Sequence, residues 1–439
     1  MTRNPRDAME RRPHVVVVNQ WKEHYADYAR YLNHTTHRVT YITTPVGRGC
    51  VPPAAAEVAL VESTGDLAEV RTALDGLVRR HGPVRRIVAL KEGDLLVAAQ
   101  LRADRGLPGP RPADLLAFRD KYVMCTAVAD AGLPVPVFTA AGDHDSVRAF
   151  AELAGWPLVV KPRVGGSSDG VVVLAGPGDL ARLPDFTEPM LVQAFNPHPI
   201  YHVDGVFDGR APTCLRASRY INSCLGFRDG TFLGSVEEDD PRIVRAIETS
   251  ATAFLGALTG APTPFHLELF VERRGEDVTC TFLEVGARVG GAEIPFLWRE
   301  LHGYDLMRAA FDLQATGTTG TAPPPRAASG PVGGWLLVPA PTARPCLITE
   351  ATSMVGRRPG PYAEALLSPG EVLPAADAYY EHVGGRFRFR GTSSAEVERA
   401  LAATATRFRV SAAPVPPAEQ AAPVPPAEQP AYRIPEVTR

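Results

Sequence analysis

The chain has 439 residues, 45% of them apolar and 22% charged, which is material for roughly three domains with full hydrophobic cores. A formal net charge of −3 excludes a global basic field that would gather nucleic acid or an acidic membrane surface. No apolar run reaches the ~20 residues that span a bilayer, the polar stretch Met1 to Pro13 has no signal-peptide core, and six cysteines without a CxxC pair read as buried thiols of a reducing compartment, so a cytoplasmic protein is expected.

In chain order, His14 to Val18 is a buried-type strand. Trp21 to Leu32 follows as a predicted helix, with Trp21, Tyr25, Tyr28 and Leu32 on one face. Strands are predicted over Arg38 to Thr43, Ala59 to Val61 and Arg86 to Leu90, and helices over Asp66 to His81 and Asp94 to Arg105. This alternation predicts a small parallel α/β domain over residues 1–112. Its first strand is not followed by GxGxxG, so a dinucleotide site is not indicated. Lys91 and Glu92 lie just past the C-terminal end of a strand, where open α/β sheets bind ligands. Glu92 is therefore a candidate substrate residue, with a solvated helix start as the alternative.

A helix is predicted from Asp114 to Ala131, carrying Phe118, Arg119, Asp120 and Lys121 and ended by Gly132, Pro134 and Pro136. A helix over Val147 to Ala154 comes next, then two aliphatic strands, Leu158 to Val160 and Val171 to Leu174. The turn between them holds Gly165, Gly166, Ser167, Ser168 and Gly170. Glycine there lets the backbone approach a ligand closely, and a run of free N–H groups makes an anion nest. Lys161, at the root of the turn, is a point charge suited to phosphate. No Gly-Lys-Ser/Thr leads into a helix, so this is not a Walker A loop. Strand, glycine loop, strand is nearer the flap that covers nucleotide phosphates in kinases. An ordinary hairpin with a flexible turn is the alternative.

Met190 to Phe195 reads as a strand, Tyr201 to Val206 and Thr213 to Arg219 pair across a turn at Asp208 and Gly209, and Arg242 to Leu258 is an amphipathic helix. Two strands follow, Phe265 to Val271 and Val278 to Val285. Period two puts His266, Glu268 and Phe270 on one face of the first, and Phe282 and Glu284 on one face of the second. A turn near Gly275 and Glu276 leaves Glu268 opposite Glu284, provided the register does not slip by one residue. Two facing carboxylates among apolar neighbours call for a cation between them. Mg²⁺ is the natural candidate, because it takes carboxylate and phosphate oxygens together. The alternative is that one glutamate faces solvent on an edge strand. Arg288 follows in a loop that runs on to Gly290 and Gly291. A guanidinium there can clamp a carboxylate or a transferring phosphoryl group; the alternative is a structural salt bridge to one of the two glutamates.

Asp305 to Ala315 is a predicted helix, and 316–330 reads as a linker. Residues 331–410 regain strands, at Gly333 to Val338 and Arg386 to Arg390, and close with a helix over Ala395 to Phe408. The repeat at 412–420 and 421–429 cannot bury a core, so 411–439 is expected to be a disordered Pro/Ala-rich tail.

Four of these features stand in a telling order: Phe118 to Lys121 ahead of Ala131 to Pro136; Lys161-Pro162 with its glycine-serine loop; His266-x-Glu268; and Glu284 followed by Arg288, Gly290 and Gly291. In order and spacing they resemble the ATP-grasp superfamily, nearest its carboxylate–amine ligase branch of L-amino acid and dipeptide ligases. The resemblance runs to about residue 410. It implies an α/β (α+β) fold with an N-terminal parallel α/β domain over 1–112, a small subdomain carrying the flap over 113–190, a large subdomain with the metal site over 191–325 and a C-terminal subdomain over 326–410. It implies ATP and Mg²⁺, or Mn²⁺ in its place. Lys121, Lys161 and the loop from Gly165 to Ser168 are implied to hold the phosphates. Gln193, Ala194 and Phe195 are implied to read adenine at a hinge, Glu268 and Glu284 to hold the metal, and Arg288 to stabilise the phosphoryl or tetrahedral intermediate, with Gly290 and Gly291 beside the substrate.

Two positions depart from the family. Ile200 stands where many relatives carry an acidic residue for the ribose, leaving His202 or Asp204 as substitutes. Gly286 stands where relatives commonly have asparagine, which leaves a second Mg²⁺ one ligand short. The implied reaction activates a carboxylate as an acyl phosphate, with ADP released, and an amine then displaces phosphate. Small-molecule acid and amine substrates, a homodimer, and neither nucleic acid nor membrane are the expected partners. A ligase that loads a carrier protein or thiol is the second reading, and a non-catalytic nucleotide-binding regulator the third. The intact lysines, glutamates and Arg288 argue against the third.

Overall fold

A computed structural model describes residues 12–21, 25–320, 330–374 and 383–415. The valine run of β1 (His14–Asn19) is buried along its whole length because it is an inner strand of a parallel sheet. Between β1 and β2 (Arg38–Thr43) lies a single helical turn, α1 (Tyr28–Tyr31). β3 (Glu57–Leu60), α2 (Leu67–His81), β4 (Val84–Ala89) and α3 (Leu95–Asp104) complete the unit, with strand order β3-β2-β1-β4. α2 begins where the Asp66 carboxylate accepts from the N–H groups of Ala68 and Glu69, and it stops at Gly82.

The helix expected over Trp21 to Leu32 is reduced to α1; residues 22–24 of that stretch lie outside the described residues. Aromatic side chains are weak helix formers, and here each is claimed by tertiary contacts. The Tyr28 hydroxyl donates to Asn19, the Tyr31 hydroxyl donates to Asp305, and both rings pack near Phe311.

The helix expected over Asp114 to Ala131 is likewise two: α4 (Pro112–Leu116) and α5 (Lys121–Asp130). The break has a cause. Asp120 turns out of helical geometry to cap the N–H groups of Tyr122 and Val123, and Phe118 is buried beside it. The Arg163 guanidinium grips both oxygens of that capping carboxylate, at 3.0 and 2.6 Å. This ties the start of α5 to the segment beyond β6. β5 (Phe138–Ala141), α6 (His144–Ala154), β6 (Leu158–Pro162), β7 (Val172–Leu174) and β8 (Met190–Ala194) follow, and the four strands form an antiparallel sheet in the order β5-β8-β6-β7.

The chain then builds its largest layer from β9 (Ile200–Phe207), β10 (Pro212–Ile221), α7 (Cys224–Arg228), β11 (Leu233–Glu237), α8 (Pro241–Leu258), β12 (Thr263–Arg274) and β13 (Asp277–Gly286), followed by α9 (Ile294–Leu301) and α10 (Leu306–Thr316). Beyond it come β14 (Val332–Pro339), β15 (Cys346–Ala351), β16 (Ala363–Leu366), β17 (Val372–Leu373), β18 (Val383–Gly391), α11 (Ser394–Arg407) and β19 (Val410–Pro414). The C-terminal strands do not all stand apart. β14, β18 and β16 extend the central sheet to eight antiparallel strands, β13-β12-β9-β10-β11-β14-β18-β16. One face of this sheet packs on α5 and α8 through Met124, Val128, Ile247 and Phe254. The other packs on α9, α10 and the N-terminal sheet through Trp298, Phe311 and Val88.

The disordered tail expected from residue 411 does not begin there. Residues 411–414 belong to β19, which pairs antiparallel with β15, and Val410 packs on the small cluster around Ile348 and Leu373. Residues 416–439, and 321–329 of the expected linker, lie outside the described residues.

Candidate active site

A cleft of about 970 Å³ opens between the N-terminal sheet, the glycine loop and the end of β13. Its floor is the pairing of β12 with β13. The register places Glu268 opposite Glu284, and the one-residue shift falls just past that pair, between Glu268 and Leu269. The bulge leaves the two carboxylates facing each other, and both line the cleft. The Tyr220 hydroxyl donates to Glu268 at 2.8 Å, and the His266 ring stands 3.4 Å from the same oxygen.

Lysines approach this floor from α5 and from the small sheet. Lys121, the first residue of α5, donates to the Gly165 carbonyl at 3.1 Å and lies 3.9 Å from Glu284. Lys161, on β6, is buried close to Glu284 and Glu268 and does not line the cleft. Burial pushes its ammonium pKa down, and the neighbouring Glu284 opposes that effect. Above them Gly165, Gly166, Ser167 and Ser168 line the cleft. Ser167 and Ser168 have φ of 57° and 56° and form the centre of a tight turn, closed by the Asp169 N–H donating to the Gly166 carbonyl at 3.1 Å. Gly170 closes the turn at φ 65°, where a β-carbon would strike Pro162 at 2.7 Å. Arg228 of α7 bonds Asp169 at 2.7 Å and the Ser167 carbonyl at 3.2 Å, so the loop is held across the mouth of the cleft.

Arg288 does form an ion pair, but not with Glu268 or Glu284. It meets one oxygen of Glu92 at 2.9 Å, and Arg119 takes the other at 2.6 Å. Burial pushes the Glu92 carboxyl up, yet Arg288 and Arg119 outweigh it and hold the pKa at about 2. Glu92 is thus a cleft residue rather than a solvated helix start. Gly290 and Gly291 line the cleft beside it, and a β-carbon on Gly290 would lie 2.3 Å from an oxygen of Asp204. At Gly286 a β-carbon would meet the Arg288 side chain at 3.4 Å and Glu92 at 3.5 Å, ordinary contact distances.

Two sequence expectations separate from the cleft. His202 is 2% exposed and does not line it. One ring nitrogen is bound to Asp204 at 2.6 Å and the other to the Ser235 hydroxyl at 2.6 Å. Asp204 in turn holds His266 at 2.8 Å. The expectation that His202 or Asp204 holds the ribose is therefore corrected: both are spent in an internal network. Burial lowers the His266 pKa, but the Asp204 carboxylate more than reverses this and raises it to about 9. The three side chains come close enough to share a metal ion, but the hydrogen bonds already satisfy them. Gln193, Ala194 and Phe195 stand at the end of β8, where the chain crosses from the small sheet to the large one, and do not line the cleft. Arg119, Tyr220, Cys224 and Arg228 are cleft residues that sequence reasoning missed. Only Arg119 carried a signal, as a member of the Phe118 to Lys121 motif.

No protein-family model matches the chain. It is 24% identical over 285 residues to the L-arginine-specific L-amino acid ligase of Bacillus subtilis, a match covering 61% of this chain and 67% of that one. The crystal structure of an L-amino acid ligase from Bacillus licheniformis superposes with a TM-score of 0.69 over 91% of this chain and 99% of that one, at 18% identity. The biotin carboxylase domain of a Hydrogenobacter thermophilus 2-oxoglutarate carboxylase, solved with its magnesium–ADP complex, superposes with a TM-score of 0.64 over 91% of each chain at 15% identity. The chain has the ATP-grasp fold of these structures. An L-amino acid ligase stands among the similar proteins both by sequence and by fold.

For a chain with the ATP-grasp fold the chemistry of the floor is coherent. The metal-binding donors on offer are carboxylate oxygens, which suit a hard divalent cation such as Mg²⁺ rather than a soft one. Glu268 is drawn below the ordinary carboxylate range because hydrogen bonding and charge from His266 overcome its burial. Fixed cations, the glycine loop and two facing carboxylates in one cleft can neutralise a polyphosphate and its metal together.

Proposed function

We propose that this ATP-grasp enzyme joins a carboxylic acid to an amine, with amino acids or amino-acid-like molecules as substrates. A carboxylate oxygen attacks the γ-phosphorus of ATP, the bond to the β,γ-bridging oxygen breaks, and ADP leaves an acyl phosphate. The amine nitrogen then attacks the acyl carbon, and the carbon–oxygen bond to phosphate breaks. An amide, inorganic phosphate and a proton are the products.

The observation that carries this reading is the convergence of Glu268, Glu284, Lys121, the glycine loop and Arg288 on one cleft, with Lys161 buried behind it in electrostatic reach of both glutamates. Mg²⁺ held by Glu268 and Glu284 would neutralise charge on the terminal phosphates. Lys121 and Lys161 draw the phosphates to the floor, and the loop from Gly165 to Ser168 covers them and excludes the water that would hydrolyse the acyl phosphate. Arg288, fixed by Glu92, presents a preorganised charge where negative charge develops during transfer and amine attack. Gln193 to Phe195, on the connection between the two sheets, are assigned to the adenine edge, with backbone groups as the readers. ADP, phosphate and amide should form in equal amounts when the chain turns over pairs of amino acids with ATP and Mg²⁺. Stoichiometric AMP, or ADP without amide from any pair, would contradict the proposal.

A further inference from the structure

We propose that the acid this enzyme activates carries an uncharged, apolar side chain, seated on a wall formed by Leu233, Leu337, Trp335, Ile294, Met307 and Trp21. The inference rests on the ligase reading above and names the substrate class of that same site. Beyond Glu268 the cleft changes character. Tyr220, which binds Glu268 through its hydroxyl, meets Trp335 edge-on with ring centroids 6.2 Å apart. From there the wall is the surface of the hydrophobic cluster that β11, β14, α9 and α10 share with the N-terminal sheet. Five of its six residues are at least 95% buried in that cluster, so the wall is a fixed surface with the density of a core.

Charge decides the class. Among the described residues four carboxylates line the cleft, Glu92, Asp169, Glu268 and Glu284, and each is already engaged. Glu92 holds Arg119 and Arg288, Asp169 holds Arg228, Glu268 takes the Tyr220 hydroxyl, and Glu284 faces Lys121. A guanidinium or ammonium side chain entering here would lose its water without gaining a counter-ion. The cations are committed as well: Lys91 donates to Gln20, and Arg386 lies 3.6 Å from the fully buried Glu293. An apolar side chain loses nothing on entry and gains burial. The chain would then differ from the Bacillus subtilis relative, which is named as arginine-specific.

The test uses the full chain with ATP, Mg²⁺ and hydroxylamine as the amine. Hydroxylamine nitrogen displaces phosphate from the acyl carbon, so the hydroxamate records only the acid that was activated. L-leucine, L-methionine and L-phenylalanine should give kcat/KM at least about tenfold above L-arginine, L-lysine and L-aspartate, as apolar pockets commonly discriminate. A charged acid that equals or exceeds them overturns the inference. Trp21→Ala, a change at the rim, should raise KM for leucine with KM for ATP unchanged. Met307→Glu should raise arginine relative to leucine. If neither variant alters the preference, the wall is not the side-chain subsite. Calorimetric titration of L-leucine and L-arginine into the chain with ADP and Mg²⁺ separates the two levels of the argument. No hydroxamate from any acid defeats the ligase reading, whereas arginine binding as tightly as leucine, or leucine not binding, defeats this inference.

Discussion

Replacing Arg288 by methionine removes a charge that is paired with Glu92 and that the proposed mechanism uses. Its guanidinium holds one oxygen of Glu92, and Arg119 holds the other. The depression of the Glu92 carboxyl from 4.5 to about 2 corresponds to roughly 3 kcal/mol at most. That total is shared between two arginines, and the Glu92 side chain is 23% exposed. Loss of Arg288 alone should therefore cost on the order of 1–2 kcal/mol. The sign of the pH dependence follows. A carboxylate with a depressed folded-state pKa stabilises the fold above its unfolded value near 4.5, and that stabilisation drains away as pH falls towards 2. Denaturant melts at pH 7 and pH 3 should show the difference between wild type and Arg288→Met shrinking at the lower pH. Turnover should fall by a factor on the order of 10² to 10³, the usual loss for one preorganised donor, while calorimetric binding of ATP and Mg²⁺ stays close to wild type. Glu92→Gln should lose a similar amount of stability but much less turnover. Wild-type turnover in Arg288→Met, or equal kinetic losses in the two variants, would refute the assignment and leave Arg288 as a structural ion pair.

Glu284→Gln should weaken binding of the metal–nucleotide and raise the Mg²⁺ concentration needed for half-maximal rate; an unchanged Mg²⁺ dependence counts against the metal assignment. Asp204→Asn keeps the shape of the internal network but removes the charge between His202 and His266, which should cost roughly 3 kcal/mol or more in a denaturant melt at pH 7. Because the Asp204 carboxyl is drawn well below its ordinary range by His266 and His202 despite its burial, that loss should diminish as pH falls below the unfolded carboxylate pKa. A chain ending at residue 415 should melt with the full-length protein, as the low-complexity repeat predicts. One ending at 409 should melt lower, because β15 loses its partner strand; equal melting of the two would show that β19 contributes nothing.

The sequence was most legible where local chemistry repeats. β-branched runs, capping aspartates and terminal glycines placed the parallel sheet, the hairpin around Gly165 and the helix α8 close to where they lie. The opposition of Glu268 and Glu284 could be read from period two and the turn at Gly275, because the bulge falls one step beyond the pair. Tertiary competition was not legible. Tyr25, Tyr28 and Tyr31 keep a helical spacing, yet their rings are drawn into separate contacts and only one turn forms. Phe118 and Asp120 look like the middle of a helix, and the capping preference of aspartate outweighs the pattern. In the site, Arg288 and Glu92 were each named but not as a pair, since nothing local joins residues separated by 196 positions. Tyr220 and Trp335 reach the cleft only through the strand order of the large sheet. His202 was misplaced because a polar residue on a strand reads as a ligand-binding group until its interior partners are known.

Transfer of isotope from the acid to phosphate tests the central claim most directly. An acid substrate labelled with ¹⁸O in both carboxylate oxygens is turned over with unlabelled ATP, Mg²⁺ and an amine, and the products are read by mass spectrometry. Attack of the carboxylate on the γ-phosphorus predicts one ¹⁸O in each inorganic phosphate released, ADP in equal amount, and one ¹⁸O retained in the amide. Label appearing in AMP, or phosphate free of ¹⁸O while amide forms, would contradict activation through an acyl phosphate.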